Sequence, residues 1–242
     1  MRYFKSAFIL GSTSSVAKSI CLELARNGCK RFHLVCRNFE NNKDLVKLLE
    51  KSYGAKITQE KNDILFNCNL IKPYEPKIDI YDLYLIVIGT LGNEKLARVD
   101  ISESLKINYA NYIGILTWLI QIIKNNRIES KGSLWVFTSV ASDRGRASNY
   151  NYGAAKAALA TYCEGLLLRC YKKPFSVRII KAGFMSTRMA SNAPSYLCID
   201  TDKVANYLMR KPFKRGIEYL PWWWSIVMFI VRILPSKLAS KL

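Results

Sequence analysis

Residues 83–88 read Leu, Tyr, Leu, Ile, Val, Ile, six positions with no polar break. A strand with that pattern is covered on both faces, which is the condition inside a parallel sheet flanked by helices. Other strand-like runs stand at 5–10, 31–36, 64–68, 134–137, 176–181 and 217–220. Between them, 14–27, 41–53, 102–125 and 152–169 carry apolar residues at helical spacing. Strands and helices that alternate in this way predict an α/β, doubly wound parallel sheet. At 242 residues one domain is expected, and no repeat or low-complexity linker divides the chain. Residues 1–220 form that domain, and 221–242 form an apolar and basic C-terminal segment.

The chemistry concentrates in residues 139–156. Ser139 follows an apolar strand, so its hydroxyl sits at a strand tip, where open α/β sheets bind ligands. Tyr152 and Lys156 are four apart on a helix, which places them on one face roughly 6 Å apart at Cβ. A phenol has an ordinary pKa of about 10. A nearby ammonium favours the phenolate and lowers that value, so the pair suits proton exchange with a substrate oxygen. A Tyr and a Lys at this spacing also occur by chance on exposed helices; the serine at the preceding strand end separates the two cases.

The opening strand ends at Gly11, and a helix starts within a few residues. A helix N-terminus after a tight turn offers N–H groups to a phosphate, and Ser12, Thr13, Ser14 and Ser15 add hydroxyls. The second strand ends in Cys36, Arg37 and Asn38, with no acid. A basic residue there suits a ribose 2′-phosphate, whereas an acid would bind the 2′-hydroxyl. Arg37 therefore favours NADP(H) over NAD(H), and the alternative is an ordinary solvated arginine.

Lysine and arginine number 37 against 18 acids, a net charge of +19. Such an excess points to an anionic partner, and a lysine-rich genome is the alternative. No basic motif interleaved with aromatics marks a nucleic-acid module. Seven cysteines with no C-x-x-C pair argue against a disulfide framework. Cys21, Cys36, Cys68, Cys163 and Cys170 fall in apolar stretches and read as buried small hydrophobes in a reducing compartment. The single histidine, His33, reads as structural, and no ligand cluster suggests a metal. The first five residues lead straight into a strand, without the look of a signal peptide.

Ser139, the run Tyr152, Gly153, Ala154, Ala155, Lys156, and the run 182–187 (Ala, Gly, Phe, Met, Ser, Thr) resemble the short-chain dehydrogenase/reductase family over about residues 5–190. The longer string 139–156 resembles one branch, whose members reduce a lipid-linked 2-keto sugar. The resemblance implies a Rossmann fold and catalysis by Ser139, Tyr152 and Lys156, with Asn108 as the fourth residue holding a proton-path water. It implies dinucleotide contacts from Gly11, Ser12, Ser14, Ser15, Val16, Arg37, Asn69, Gly89, Thr90, Gly183 and Thr187, besides Tyr152 and Lys156. Departures stand beside these. Of three customary loop glycines only Gly11 is kept, with Ser15 and Ala17 in the other places. Asn69 replaces an aspartate near the adenine, the turn at Gly89 lacks the usual Asn-Ala-Gly, and Ala182 replaces a proline. The resemblance also implies a homo-oligomer through helices 102–125 and 152–169.

The tail reads Pro221, Trp222, Trp223, Trp224, then the apolar run 226–231, interrupted by Arg232 and Pro235. It is shorter than the roughly 20 apolar residues that a spanning helix needs. Tryptophans and basic flanks suit a helix lying in a membrane interface. The alternative is a segment packed on the sheet or on a partner subunit. The combined expectation is an NADPH-dependent reductase of a ketone on a lipid-linked keto-sugar, at the cytoplasmic membrane face, in cell-envelope polysaccharide synthesis. The competitors are a reductase of a soluble or hydrophobic carbonyl and an inactive cofactor-binding membrane scaffold.

Overall fold

A computed structural model describes residues 3–65, 74–124, 127–191 and 193–240. Seven strands form one sheet in the order β3-β2-β1-β4-β5-β6-β7, parallel throughout. They are β1 (Ser6–Leu10), β2 (Arg31–Cys36), β3 (Lys56–Lys61), β4 (Leu83–Ile86), β5 (Gly132–Ser139), β6 (Phe175–Ala182) and β7 (Gly216–Leu220). β1, β4 and β6 are buried along their whole length, β4 without a polar residue and β6 with Arg178 paired to Glu218 and Lys181 to Asp143.

The helices are α1 (Ser15–Arg26), α2 (Lys43–Tyr53), α3 (Glu94–Ala97), α4 (Ile101–Asn108), α5 (Gly114–Ile123), α6 (Tyr150–Arg169), α7 (Thr201–Arg210), α8 (Trp224–Ile233) and α9 (Ser236–Ala239). One face of the sheet packs on α1, α2 and α7 through Val16, Ile20, Leu24, Leu45, Leu49, Val204 and Leu208. The other packs on α5 and α6 through Ile115, Trp118, Leu119, Leu159, Cys163 and Leu166. A π-helical turn, Tyr109–Ile113, joins α4 to α5 in one rod. Such turns insert a residue and re-aim the side chains on it.

The third strand departs from the sequence expectation. It is Lys56–Lys61, paired with β2 from Arg31↔Lys56 to Cys36↔Lys61, and Ile64 and Leu65 lie in a turn. Residues 66–68 of the expected strand lie outside the described residues. β3 is the sheet edge, so its charged residues face water and no continuous apolar run is needed. The free cysteines Cys21, Cys36, Cys163 and Cys170 are buried as expected, and Cys68 lies outside the described residues. His33 is stacked on Phe8 and bonded to Thr58, a structural setting.

The chain winds outward from β1 to β3, returns to β4, and winds the other way to β7. The reversal between β1 and β4 opens a crevice at the C-terminal strand ends, where doubly wound sheets bind ligands.

Candidate active site

A cavity of about 520 Å³ occupies that crevice. On its first side, β1 ends at Gly11, which adopts φ +90. A Cβ there would stand 2.3 Å from Val87 O, so only glycine fits this turn. Ser14 N–H bonds Gly11 O at 3.1 Å, and no side chain caps the start of α1. The first-turn N–H groups therefore have no partner within the helix and point to an anion. Gly11, Thr13, Ser14, Ser15 and Val16 line the cavity, with Arg37 at the end of β2.

Ser12 does not line it. Its N–H and Oγ both donate to Val35 O, at 3.2 Å each, and Oγ accepts from Asn42 Nδ2 at 2.7 Å. The residue is fully buried and braces the turn from beneath, so its hydroxyl is unavailable to a ligand. Asn69 lies outside the described residues. With β3 at 56–61, the strand-end positions on the cavity wall fall to Asn62 and Asp63.

The second side holds the reactive residues. Ser139 closes β5, and its Oγ accepts from Ala141 N–H at 3.1 Å, which turns the chain sharply. A Cβ on Gly153 would stand 3.0 Å from Ala141 O, so glycine lets α6 approach that turn closely. The start of α6 is pinned by α3: Glu94 Oε1 accepts from Asn151 N–H and Nδ2 at 3.1 and 3.0 Å. Tyr152 thus stands on a fixed first turn, with the Ser139 hydroxyl close enough to act on its phenol.

Burial pushes the Tyr152 phenol above its ordinary value, and the Ser139 bond and the Arg146 charge oppose that only in part. This corrects the expectation that the lysine lowers it. Lys156 Nζ lies 6.0 Å from the Tyr152 ring centre and donates to Ile88 O at 2.7 Å and Phe137 O at 3.5 Å. Burial in turn lowers Lys156 to about 8. Desolvation outweighs attraction for both groups.

Asn108 is also corrected. Its Nδ2 donates to Ser104 O at 2.9 Å, within its own helix. Asn111, fully buried on the π-turn, stands beside the lysine instead: a Cβ on Gly89 would lie 2.9 Å from Asn111 Oδ1 and 3.1 Å from Lys156 Nζ. Asn111 accepts from Thr90 N–H at 3.2 Å and donates to Thr90 O and Ile107 O, both at 2.8 Å. The missed signal is periodic. Ile107, Asn111, Ile115 and Trp118 recur at helical spacing on the buried face, so Asn111 is the polar residue inside the apolar stripe. Gly89, Thr90 and Thr187 line the cavity, joined by Lys106, Thr138 and Arg188.

The stretch between Ser139 and Tyr152 builds the rim. Asp143 accepts from Lys181 Nζ and Tyr219 OH, both at 2.7 Å, tying this loop to β6 and β7. Arg144 Nη1 donates to Val231 O and Leu234 O at 2.5 Å each, capping the end of α8. Trp224 and Met228 of α8 pack on Val140, next to Ser139. Gly183 donates its N–H to Leu220 O at 2.8 Å and lies under the Trp224 indole, outside the cavity lining. The Trp224 Nε1 atom is buried without a partner.

A strand-tip serine, a tyrosine and a lysine over a dinucleotide-type turn define an oxidoreductase class, and comparison places the chain in it. The model of the family described as short chain dehydrogenase matches residues 5–196, and the chain belongs to that family. An uncharacterized oxidoreductase of Mycobacterium tuberculosis is 29% identical over 153 residues, 62% of this chain and 61% of that protein. The chain therefore aligns with less than two thirds of that relative's length. An uncharacterized oxidoreductase of Myxococcus xanthus is 23% identical over 97% of this chain and 94% of its own. Among solved structures, a short-chain dehydrogenase from Sphingobium yanoikuyae in complex with NADPH superposes with TM-score 0.75 at 13% identity, covering 89% of this chain and 87% of that one. Levodione reductase superposes with TM-score 0.74 at 16% identity, covering 89% and 95%. These likenesses are to the fold.

Proposed function

We propose that this short-chain oxidoreductase reduces a ketone to a secondary alcohol with NADP(H), on a lipid-linked keto-sugar of cell-envelope polysaccharide synthesis. The carrying observation is Tyr152: a buried phenol beside Ser139, with a value raised by burial, is protonated at neutral pH and poised to donate. Ser139 Oγ orients the carbonyl oxygen, and Tyr152 OH delivers the proton to it. Lys156, charged below about 8, steadies the phenolate that remains. Asn111, in place of Asn108, fixes the Thr90 backbone beside Lys156.

The cofactor side fits a dinucleotide phosphate, with the uncapped start of α1 for a pyrophosphate and the exposed, cavity-lining Arg37 for a 2′-phosphate. The hydride is the chemistry that a bound nicotinamide supplies. Asp63 takes the adenine-side position that the sequence reading gave to Asn69.

The tail supports work at a membrane surface on the inner, cytoplasmic side. Ile226, Phe229, Ile230 and Ile233 face outward from α8, with Phe229 and Ile233 each 66% exposed. Arg232 and Lys237 flank them, the arrangement of an interfacial helix on anionic lipid. No helix among the described residues is long and apolar enough to cross a membrane. Outward apolar residues on α4, α5 and α6 (Ile101, Leu105, Ile120, Leu168) support self-association through those helices. The packing of Trp224 and Met228 beside Ser139 favours a second reading, in which α8 walls a pocket for a soluble ketone.

The test is NADPH oxidation by the full chain on vesicles carrying a polyprenylphosphoryl 2-keto-pentose, with the double variant Ile226→Ser, Phe229→Ser as comparison. The proposal expects vesicle-dependent turnover that the variant loses. Equal turnover of a soluble ketone by both forms would favour the second reading.

A further inference from the structure

We propose that Arg146 holds an anionic group of the substrate, a phosphate or carboxylate a few bonds from the reacting carbonyl. The inference rests on the reading of Ser139 and Tyr152 as the carbonyl site, and it adds the substrate's charge.

The surface arginines and lysines of this basic chain need no special account, because water solvates them. Arg146 differs. Its Nε is buried and unpartnered, and its side chain makes no hydrogen bond or ion pair with any described residue. The side chain is half-buried, and a buried N–H without an acceptor carries a desolvation cost that folded chains usually remove by pairing. Neither carboxylate of this rim pairs with it: Asp143 is held by Lys181 and Tyr219, and Glu94 accepts from Asn151 through Oε1 while its Oε2 is itself without a partner. The other arginine of the loop, Arg144, caps α8 through Nη1. Arg146 is thus the unengaged cation of the loop.

Its placement gives it a use. It lies between Ser139 and Tyr152 in sequence and close enough to act on the phenol's charge. The loop is not free to swing: Asp143 anchors one end, and Asn149 N–H bonds Arg146 O at 3.2 Å at the other. A guanidinium on a fixed loop matches the planar geometry of phosphate and carboxylate, which it binds through paired N–H groups. The Trp224 N–H, also buried and unpartnered, supplies a neutral donor on the Gly183 side. A neutral ketone would leave Arg146 unpaired.

The experiment is calorimetric titration of 2-oxopropylphosphonate, with butanone as the neutral control, into the full chain both free and loaded with NADP⁺. Arg146→Gln and Arg146→Lys are titrated alongside. The expected result is saturable phosphonate binding that Arg146→Gln weakens at least ~10-fold, the loss of one charge-assisted hydrogen bond. Arg146→Lys should recover part of it, and NADP⁺ affinity should stay unchanged in both variants, which also reports their folding. Phosphonate binding unchanged by Arg146→Gln, or no preference for phosphonate over butanone, would overturn the proposal. A chain that fails to bind NADP⁺ would instead sink the cofactor reading, and the titration of the free chain still judges Arg146. Vesicles carrying a polyprenyl phosphate, compared with phosphatidylglycerol vesicles, separate the sources. An Arg146-dependent gain for the first supports a lipid-borne phosphate, and no gain with phosphonate binding intact supports a soluble anion.

Discussion

On the cofactor side of the cavity, the buried hydroxyl of Ser12 has a partner in each direction, Val35 O and Asn42 Nδ2. On the substrate side, Arg146 Nε and Trp224 Nε1 have none. Five buried side-chain polar atoms among the described residues lack a partner. One, Asn42 Oδ1, lies under the cofactor turn; the others, on Glu94, Arg146, Asn149 and Trp224, belong to the rim around Tyr152. Buried polar groups are nearly always satisfied, so orphans mark places where something is expected to bind. The cofactor turn is held by backbone geometry at Gly11 and by the Ser12 hydroxyl beneath it. The rim is made of this chain's own loop, α3 and tail, and its orphans are two donors, Arg146 Nε and Trp224 Nε1, and two acceptors, Glu94 Oε2 and Asn149 Oδ1.

The comparison can be broken first at Tyr152. Tyr152→Phe keeps the ring and removes the proton, so turnover should fall by ~10²–10⁴-fold while NADPH affinity and Tm hold. Retained turnover would remove Tyr152 from the chemistry. Asp143→Ala strips Lys181 of its buried partner and unties the rim. A loss of about 1–3 kcal/mol in unfolding free energy is expected, since Lys181 keeps only Glu164 at 3.9 Å and the Tyr219 hydroxyl loses its acceptor. NADP⁺ should still bind the folded fraction with unchanged affinity, because the cofactor turn does not depend on that loop; a matching loss of NADP⁺ affinity would mean the two sides are one unit. A smaller effect lies in pH. Lys156 loses its charge as pH rises through about 8, whereas Tyr152, raised by burial, keeps its proton over that range. Reduction, read as kcat/KM, should therefore decline above about pH 8 as the phenolate left by proton donation loses a neighbouring cation. A profile that stays flat through that range would free Tyr152 from dependence on Lys156.

The interior strands were legible because parallel strands buried on both faces must be apolar, and β4 announces itself in residues 83–88. The edge was not. β3 reads Lys, Ile, Thr, Gln, Glu, Lys, a polar stretch that only its pairing with β2 makes a strand. That slip carried the adenine-side expectation on to Asn69, past Asn62 and Asp63 at the strand end. The strand tip at Ser139 and the helical pair at Tyr152 and Lys156 could be read from spacing alone. Asn108 and Asn111 are one turn apart, and the choice between them turned on which lies in the buried stripe. Two further facts needed the tertiary structure. The direction of the Tyr152 shift depends on how deeply it is buried, and the freedom of Arg146 depends on which carboxylates its neighbours have already taken.

The division between the two sides is tested most directly by a double-variant cycle of Arg37→Ala and Arg146→Gln, with affinities for NADPH and 2-oxopropylphosphonate measured on all four proteins. The account predicts that Arg37→Ala weakens NADPH alone, that Arg146→Gln weakens the phosphonate alone, and that the effects add within about 0.5 kcal/mol. Arg146→Gln weakening NADPH as much as Arg37→Ala does would contradict it, because the rim arginine would then belong to the cofactor rather than to the substrate.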